Sequence, residues 1–247
     1  MARKGAPTQR TSAVEPAPEK RPSGRLVVLA FAVAIGAAVA LIALTLVLRS
    51  SDDAAPPTAA PVVDLDGIPQ DGTILGSPDA SVTLIEYADL QCPACRAYTE
   101  VVFPTVVTDY VRPGRVKTEF RGLAFIGPDS EKALRLVLAA GLQDRLWHLQ
   151  EALYRNQGGE NSGWVTDDLV RELAGEIDGL DADRMFTDAA SAEVTSQMAT
   201  AQEQADATGV QGTPTLFVQV GAEEPSMLES GIGAAEITAA LDAALAR

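Results

Sequence analysis

The chain has 247 residues and a formal net charge of −15, with 34 Asp and Glu against 19 Lys and Arg. So acidic a chain is poorly suited to nucleic acid or to docking on anionic lipid through charge. One histidine and two cysteines fall short of the roughly four ligands of a structural zinc centre, and no glycine-rich phosphate loop or internal repeat is present.

The charge is unevenly spread. Residues 1–25 form a polar tail with six basic and two acidic side chains, which leaves 26–247 at a net of −19. Residues 26–48 then run for 23 positions without a charge. At about 1.5 Å per residue such a helix reaches roughly 35 Å, enough to cross a hydrocarbon core of about 30 Å. The stretch is longer than the apolar region of a secretory signal, 49–53 offers no strong small-x-small cleavage site, and no cysteine stands nearby for lipid attachment. An uncleaved single-pass anchor in the cell membrane is predicted, with the basic tail cytoplasmic and the acidic bulk extracytoplasmic. Residues 49–72, with Pro56, Pro57, Pro61 and Pro69 and few large apolar groups, read as a flexible linker. The remaining 73–247 is long enough for one sizeable core.

Within that region Ser77-Pro78-Asp79 marks a turn. The strand predicted over 82–87 is apolar apart from Thr83 and Glu86, as a strand covered on both faces should be. Cys95, Tyr98, Val102, Val106 and Tyr110 recur at helical spacing, with Pro104 expected to kink the helix. Arg112-Pro113-Gly114 stops it, and 115–123 reads as the next strand. A helical block follows over 129–208, in pieces at 130–141, 144–156, 166–177, 181–189 and 192–207, with 156–163 as a flexible break. Thr166 and Asp181 stand where helix starts want acceptors. Strands return at 215–220 and, more weakly, at 227–229. A last helix over 234–246 places Ile237, Leu241 and Leu245 on one face.

The chemistry concentrates in Cys92-Pro93-Ala94-Cys95. Two thiols at this spacing can close a disulfide across one helical turn, and the first lies where unpaired helix N–H groups and the positive dipole end favour a thiolate. A bridge enclosing two residues removes little chain entropy and is a weak staple, so redox turnover is the use that suits it. Glu86 shares one side of its strand with Val82 and Leu84. An acid on that apolar side should have a raised pKa and could exchange a proton with Cys95. His148, in a helical run with Trp147, Leu153 and Tyr154 as core, is read as structural or on the surface, since nothing fixes it as acid, base or ligand. The acids scattered through the helical block read as solvated faces, with a calcium site as the alternative.

A thiol pair at a strand-to-helix junction, an intervening block of helices and a late Gly212-Thr213-Pro214-Thr215, with Pro214 122 positions after Cys92, together resemble the thioredoxin superfamily. The helical insertion resembles its DsbA-like branch of extracytoplasmic disulfide oxidoreductases. The resemblance covers 73–247 and implies an α/β thioredoxin-like fold, a central mixed sheet flanked by helices with an inserted helical subdomain at about 129–208. It implies that Cys92 is the exposed nucleophile and Cys95 the shielded resolving cysteine. It further implies that Pro214 is cis, with Thr213 before it binding an extended client through the backbone, and that Glu86 is the buried acid under the disulfide. Redox would run through the Cys92–Cys95 disulfide with no other cofactor. The clients would be exported proteins with free thiols, and a DsbB-like or vitamin K epoxide reductase-like membrane partner would reoxidise the pair. Pro93-Ala94 replaces the Pro-His of strongly oxidising relatives, which removes a local donor to the thiolate. The expected function is a membrane-anchored oxidase that introduces disulfides into exported proteins. The alternatives are a reductase or isomerase with the electron flow reversed, and a non-catalytic tethered chaperone whose helical cap holds unfolded segments.

Overall fold

The computed structural model describes residues 63–229 and 232–247. The predicted tail 1–25, the predicted span 26–48 and most of the predicted linker lie outside these residues. Among the described residues no helix is long and apolar enough to cross a membrane.

The described strands form one mixed sheet: β1 (Gln70–Asp71), β2 (Ile74–Leu75), β3 (Val82–Ala88), β4 (Val116–Gly122), β5 (Thr215–Val220) and β6 (Ser226–Met227), in the spatial order β1-β2-β4-β3-β5-β6. β3 is central, parallel to β4 and antiparallel to β5. Its apolar run is explained by cover on both faces. Val82, Leu84 and Ala88 enter the main core, whereas Ile85 and Tyr87 join a smaller cluster with Leu123, Ala205 and Phe217. The register sets up the site. Tyr87 stands opposite Thr215, so the chain entering β5 passes beside the end of β3, where the chain leaves for Cys92.

The helices are α1 (Pro93–Val101), α2 (Phe103–Val106), α3 (Pro128–Gly141), α4 (Leu146–Arg155), α5 (Asp167–Gly175), α6 (Ala182–Asp188), α7 (Ala192–Thr208) and α8 (Ala234–Leu245), with a π-helical turn Val107–Val111 after α2. The predicted caps form: Thr166 accepts from the Leu169 N–H and Asp181 from the Arg184 N–H. Trp147 of α4 fastens the helical insertion to the rest. Its ring stacks on Phe103 with centroids 5.3 Å apart and meets Phe120 of β4 edge-on at 6.2 Å. Each such pair is worth about 0.5–1.5 kcal/mol beyond area burial.

Four expectations are corrected. Pro104 breaks the predicted helix instead of kinking it, because it has no N–H to donate and its ring displaces the carbonyl four residues back. α1 closes with the Val102 N–H on the Tyr98 carbonyl at 2.9 Å, and Pro104 falls in the first turn of α2. The linker ends sooner than residue 72. Val63, Leu65 and Ile68 are buried in the main core, the Val63 N–H donates to Glu151 Oε1 at 3.1 Å, and Arg112 donates to the carbonyls of Asp64 and Asp66. Burying such side chains gains roughly 1.5–3 kcal/mol each, which offsets the ordering of a proline-rich segment. The last strand pairs at 226–227, not 227–229, although the Leu228 N–H still reaches the Leu216 carbonyl. The predicted flexible break at 156–163 is irregular but tied down by hydrogen bonds to the redox turn, described next.

Candidate active site

Cys92 and Cys95 sit at the start of α1, unlinked in the structure. Cys92 is the N-cap, with extended backbone, and Pro93 occupies the first helical position, where its missing N–H costs nothing. Access separates the two sulfurs: Cys92 keeps 8% of its surface exposed and Cys95 none.

The environments pull the two thiols apart. Cys92 is lowered to about 5, first by the hydrogen bond from the Cys95 thiol. Burial opposes this, while the Thr213 side chain and the N–H groups of Cys95 and Ala94 add to it. Donors from the first helical turn and from Cys95 thus supply what a histidine between the cysteines would have offered. Thr213 acts in two directions. Its carbonyl, 3.2 Å from Cys92 Sγ, accepts from the protonated thiol and so opposes ionisation, whereas its side chain favours the thiolate. Cys95 is pushed far upward by burial, then by its bond to Cys92 and by the charge of Glu86. Alkylation of Cys92 is accordingly expected to proceed at a nearly constant rate from pH 8 down to about 6 and to fall through a midpoint near 5. Iodoacetamide trapping across pH checks this, and a midpoint near that of a free thiol, about 8.5, contradicts it.

Glu86 lies on the core side of β3 with Val82 and Leu84 and is buried. Burial alone raises its pKa to about 8, and among the described residues its Oε1 has no hydrogen-bond partner. The hydroxyl of the buried Tyr98, one helical turn after Cys95, is likewise unpaired. The Thr213-Pro214 peptide is cis. The structure therefore brings Cys92, Pro93, Ala94, Cys95, Glu86, Thr213 and Pro214 into one region. It leaves His148 elsewhere, half-buried, with Nδ1 3.1 Å from Gln70 Nε2. Among the described residues no group of three or more His, Cys, Asp or Glu is arranged to hold a metal ion.

The sequence reading missed a second set of residues. Gln157, just after α4, donates through Nε2 to the carbonyls of Leu90 at 2.8 Å and Cys92 at 3.3 Å. Gln91 donates to Ser130 Oγ at 2.9 Å and to Asn161 Oδ1 at 3.1 Å, and accepts from the Asn161 N–H at 2.6 Å. Asp89 is buried at the centre of this network. One signal was available: Asp89 and Gln91 are polar residues interrupting an apolar run immediately before Cys92.

A reactive sulfur that keeps some access to solvent, a fully buried partner and a buried acid on a thioredoxin-like sheet with a helical insertion define a DsbA-like thiol:disulfide oxidoreductase. Comparison agrees: residues 69–230 match the family described as Thioredoxin, and the chain belongs to that family. The probable disulfide bond formation protein D of Bacillus anthracis is 30% identical over 158 residues, covering 61% of this chain and 71% of that protein. Among solved structures, oxidised BdbD from Bacillus subtilis superposes with a TM-score of 0.63 at 24% identity, over 73% of this chain and 98% of that one. Pseudomonas aeruginosa DsbA2 superposes with a TM-score of 0.56 at 26% identity, over 71% and 95%.

Proposed function

We propose that the chain is a membrane-anchored oxidase that works outside the cytoplasm and donates its Cys92–Cys95 disulfide to exported proteins. The observation that carries the direction is the setting of Cys92, where first the Cys95 thiol and then the backbone of the first helical turn favour its thiolate. A stabilised thiolate favours the reduced enzyme and makes the disulfide a stronger oxidant. The names of the relatives, disulfide bond formation proteins, support the same direction. Placement rests on the charge-free 26–48 and the basic tail before it.

In the proposed cycle a client thiolate attacks Cys92 Sγ, the Cys92–Cys95 bond breaks, and Cys95 leaves as a thiolate that takes the proton of Glu86. A second client thiolate then attacks the client sulfur of the mixed disulfide and expels Cys92 as a thiolate. Two electrons have passed to the enzyme and the client holds a new disulfide. Thr213 and Pro214 border Cys92 where an extended client segment would lie, paired to backbone in the manner of strand addition. A quinone-linked membrane protein, DsbB-like or vitamin K epoxide reductase-like, returns the pair to the disulfide.

Mixing the oxidised enzyme with a reduced unfolded client tests the reading. Loss of two client thiols for each enzyme disulfide, with Cys92 and Cys95 recovered reduced, is the expected result. A client whose thiols remain free, while the same enzyme in its reduced form opens disulfides, contradicts it.

A further inference from the structure

The carboxylate of Asp89 is buried, and its acceptor capacity is filled by four donors among the described residues. Oδ1 accepts from the Gln91 N–H at 2.9 Å and from the Ser130 hydroxyl at 2.6 Å, and Oδ2 accepts from the N–H groups of Phe125 at 3.1 Å and Ile126 at 3.2 Å. These four donors come from three places: the redox turn, the loop after β4 and the first turn of α3. The backbone of the same residue faces the cysteines. Its carbonyl accepts from the Cys92 N–H at 2.9 Å and from the Tyr154 hydroxyl at 3.3 Å, and its backbone favours the Cys95 thiolate against the effect of burial. A buried carboxylate satisfied by donors from several elements fixes those elements relative to one another, because releasing any donor leaves a buried polar group unpaired.

We propose that Asp89 is a positioning residue for the redox pair, its carboxylate locking the turn before Cys92 to the helical insertion so that the backbone of 89–92 stays aligned with the two sulfurs. The alignment acts chiefly on Cys95. The Cys92 thiolate is held first by the Cys95 thiol and then by the backbone of the first turn of α1, whereas the Asp89 backbone offsets part of the desolvation of the buried Cys95 sulfur. Loosening the turn, which the Asp89 carboxylate ties to Phe125, Ile126 and Ser130, weakens that support and makes the Cys95 thiolate harder to form. Ser130, Gln91 and Asn161 extend the lock, and through them the insertion becomes part of the redox centre as well as cover for the sheet.

The inference rests on Cys92 as the attacking and Cys95 as the resolving sulfur, and glutathione separates the two questions. In the full-length reduced chain Cys92 attacks oxidised glutathione, forming a Cys92–glutathione disulfide and releasing one glutathione thiolate. Cys95 then loses its proton, attacks Cys92 Sγ and releases the second glutathione, so two electrons leave the protein for two glutathione thiols. Asp89→Asn puts an amide donor against two of the four donors. This variant is expected to slow the second release about tenfold, and Ser130→Ala about two- to threefold, as a lost buried hydrogen bond implies. The pH midpoint of Cys92 alkylation should stay near its wild-type position in both. An unchanged second release in both variants overturns the inference while leaving the roles of the cysteines intact. So does a parallel loss of both readouts, which marks a structural role only. If Asp89→Asn fails to fold, Ser130→Ala decides alone: a slower second release with the alkylation midpoint kept supports the inference, and no change overturns it. A wild-type chain that forms the adduct and never releases glutathione overturns the reading of Cys95 itself, and the inference with it.

Discussion

Replacing Cys92 with alanine is expected to lower client oxidation by roughly a thousandfold or more, because no other thiol on the chain is accessible to take up the exchange. Cys95→Ala should fail differently. Its Cys92 keeps the helix N-terminal donors and still forms mixed disulfides, but there is no second sulfur to expel the bound thiol, so covalent adducts accumulate. The remaining Cys92 should also lose part of its acidity, since the Cys95 thiol is its largest single stabiliser. Non-reducing electrophoresis after incubation with a reduced client distinguishes the two. The expected pattern is no adduct for Cys92→Ala and a persistent one for Cys95→Ala. Adducts in the Cys92 variant and none in the Cys95 variant would reverse the roles assigned to the two sulfurs.

Glu86→Gln should make the domain more stable and the enzyme slower. Burial raises the folded-state pKa of Glu86 from 4.5 to about 8, so between those values the folded protein holds a proton that the unfolded chain releases. The sign follows: stability is fully present below about 4.5, declines as pH rises, and reaches its lowest level once pH has passed through 8. At pH 7 the accumulated cost is on the order of 3 kcal/mol, and glutamine, which does not titrate, should recover much of it. Urea unfolding at pH 4.5 and pH 7 is the check. The variant should gain at pH 7 and little at pH 4.5, whereas curves that stay parallel across pH would place Glu86 in contact with water. The kinetic effect has its own direction. At pH 7 Glu86 carries its proton and suits the step in which Cys95 departs as a thiolate. Reoxidation needs the opposite, a carboxylate to take the Cys95 proton, and should speed up as pH rises through 8. Loss of this group should slow both steps about a hundredfold, at the lower end of general acid–base effects.

The sequence carried the fold where hydrophobic period and turn chemistry agree. β3, β4 and β5 and the helices of the insertion form within a few residues of their expected bounds, because apolar runs and the Thr166 and Asp181 caps are local signals. β1 and β2 were illegible, since two-residue strands have no period to read and are held by partners elsewhere. The segment 63–72 was misassigned for a related reason: its prolines describe a linker, while Val63, Leu65 and Ile68 find their cover only in three dimensions. At the site, the cysteine pair was readable because the chain has only two cysteines, and Pro214 because of its Gly-Thr-Pro-Thr setting and its spacing from them. Glu86 was readable from strand parity. The lock around Asp89 was not, because Ser130, Tyr154, Gln157 and Asn161 are joined to it by hydrogen bonds that span 41 to 70 positions and leave no periodic trace.

The equilibrium reduction potential of the Cys92–Cys95 pair, titrated against glutathione, tests the direction of electron flow most directly. Thioredoxin stands at about −270 mV and the strong oxidant DsbA at about −120 mV, and each tenfold change in the exchange constant is about 30 mV. With Cys92 held as a thiolate well below neutral pH, the potential should lie well above that of thioredoxin and drift as pH falls through 5. A value near −270 mV would contradict the oxidase reading and turn the search toward an electron donor.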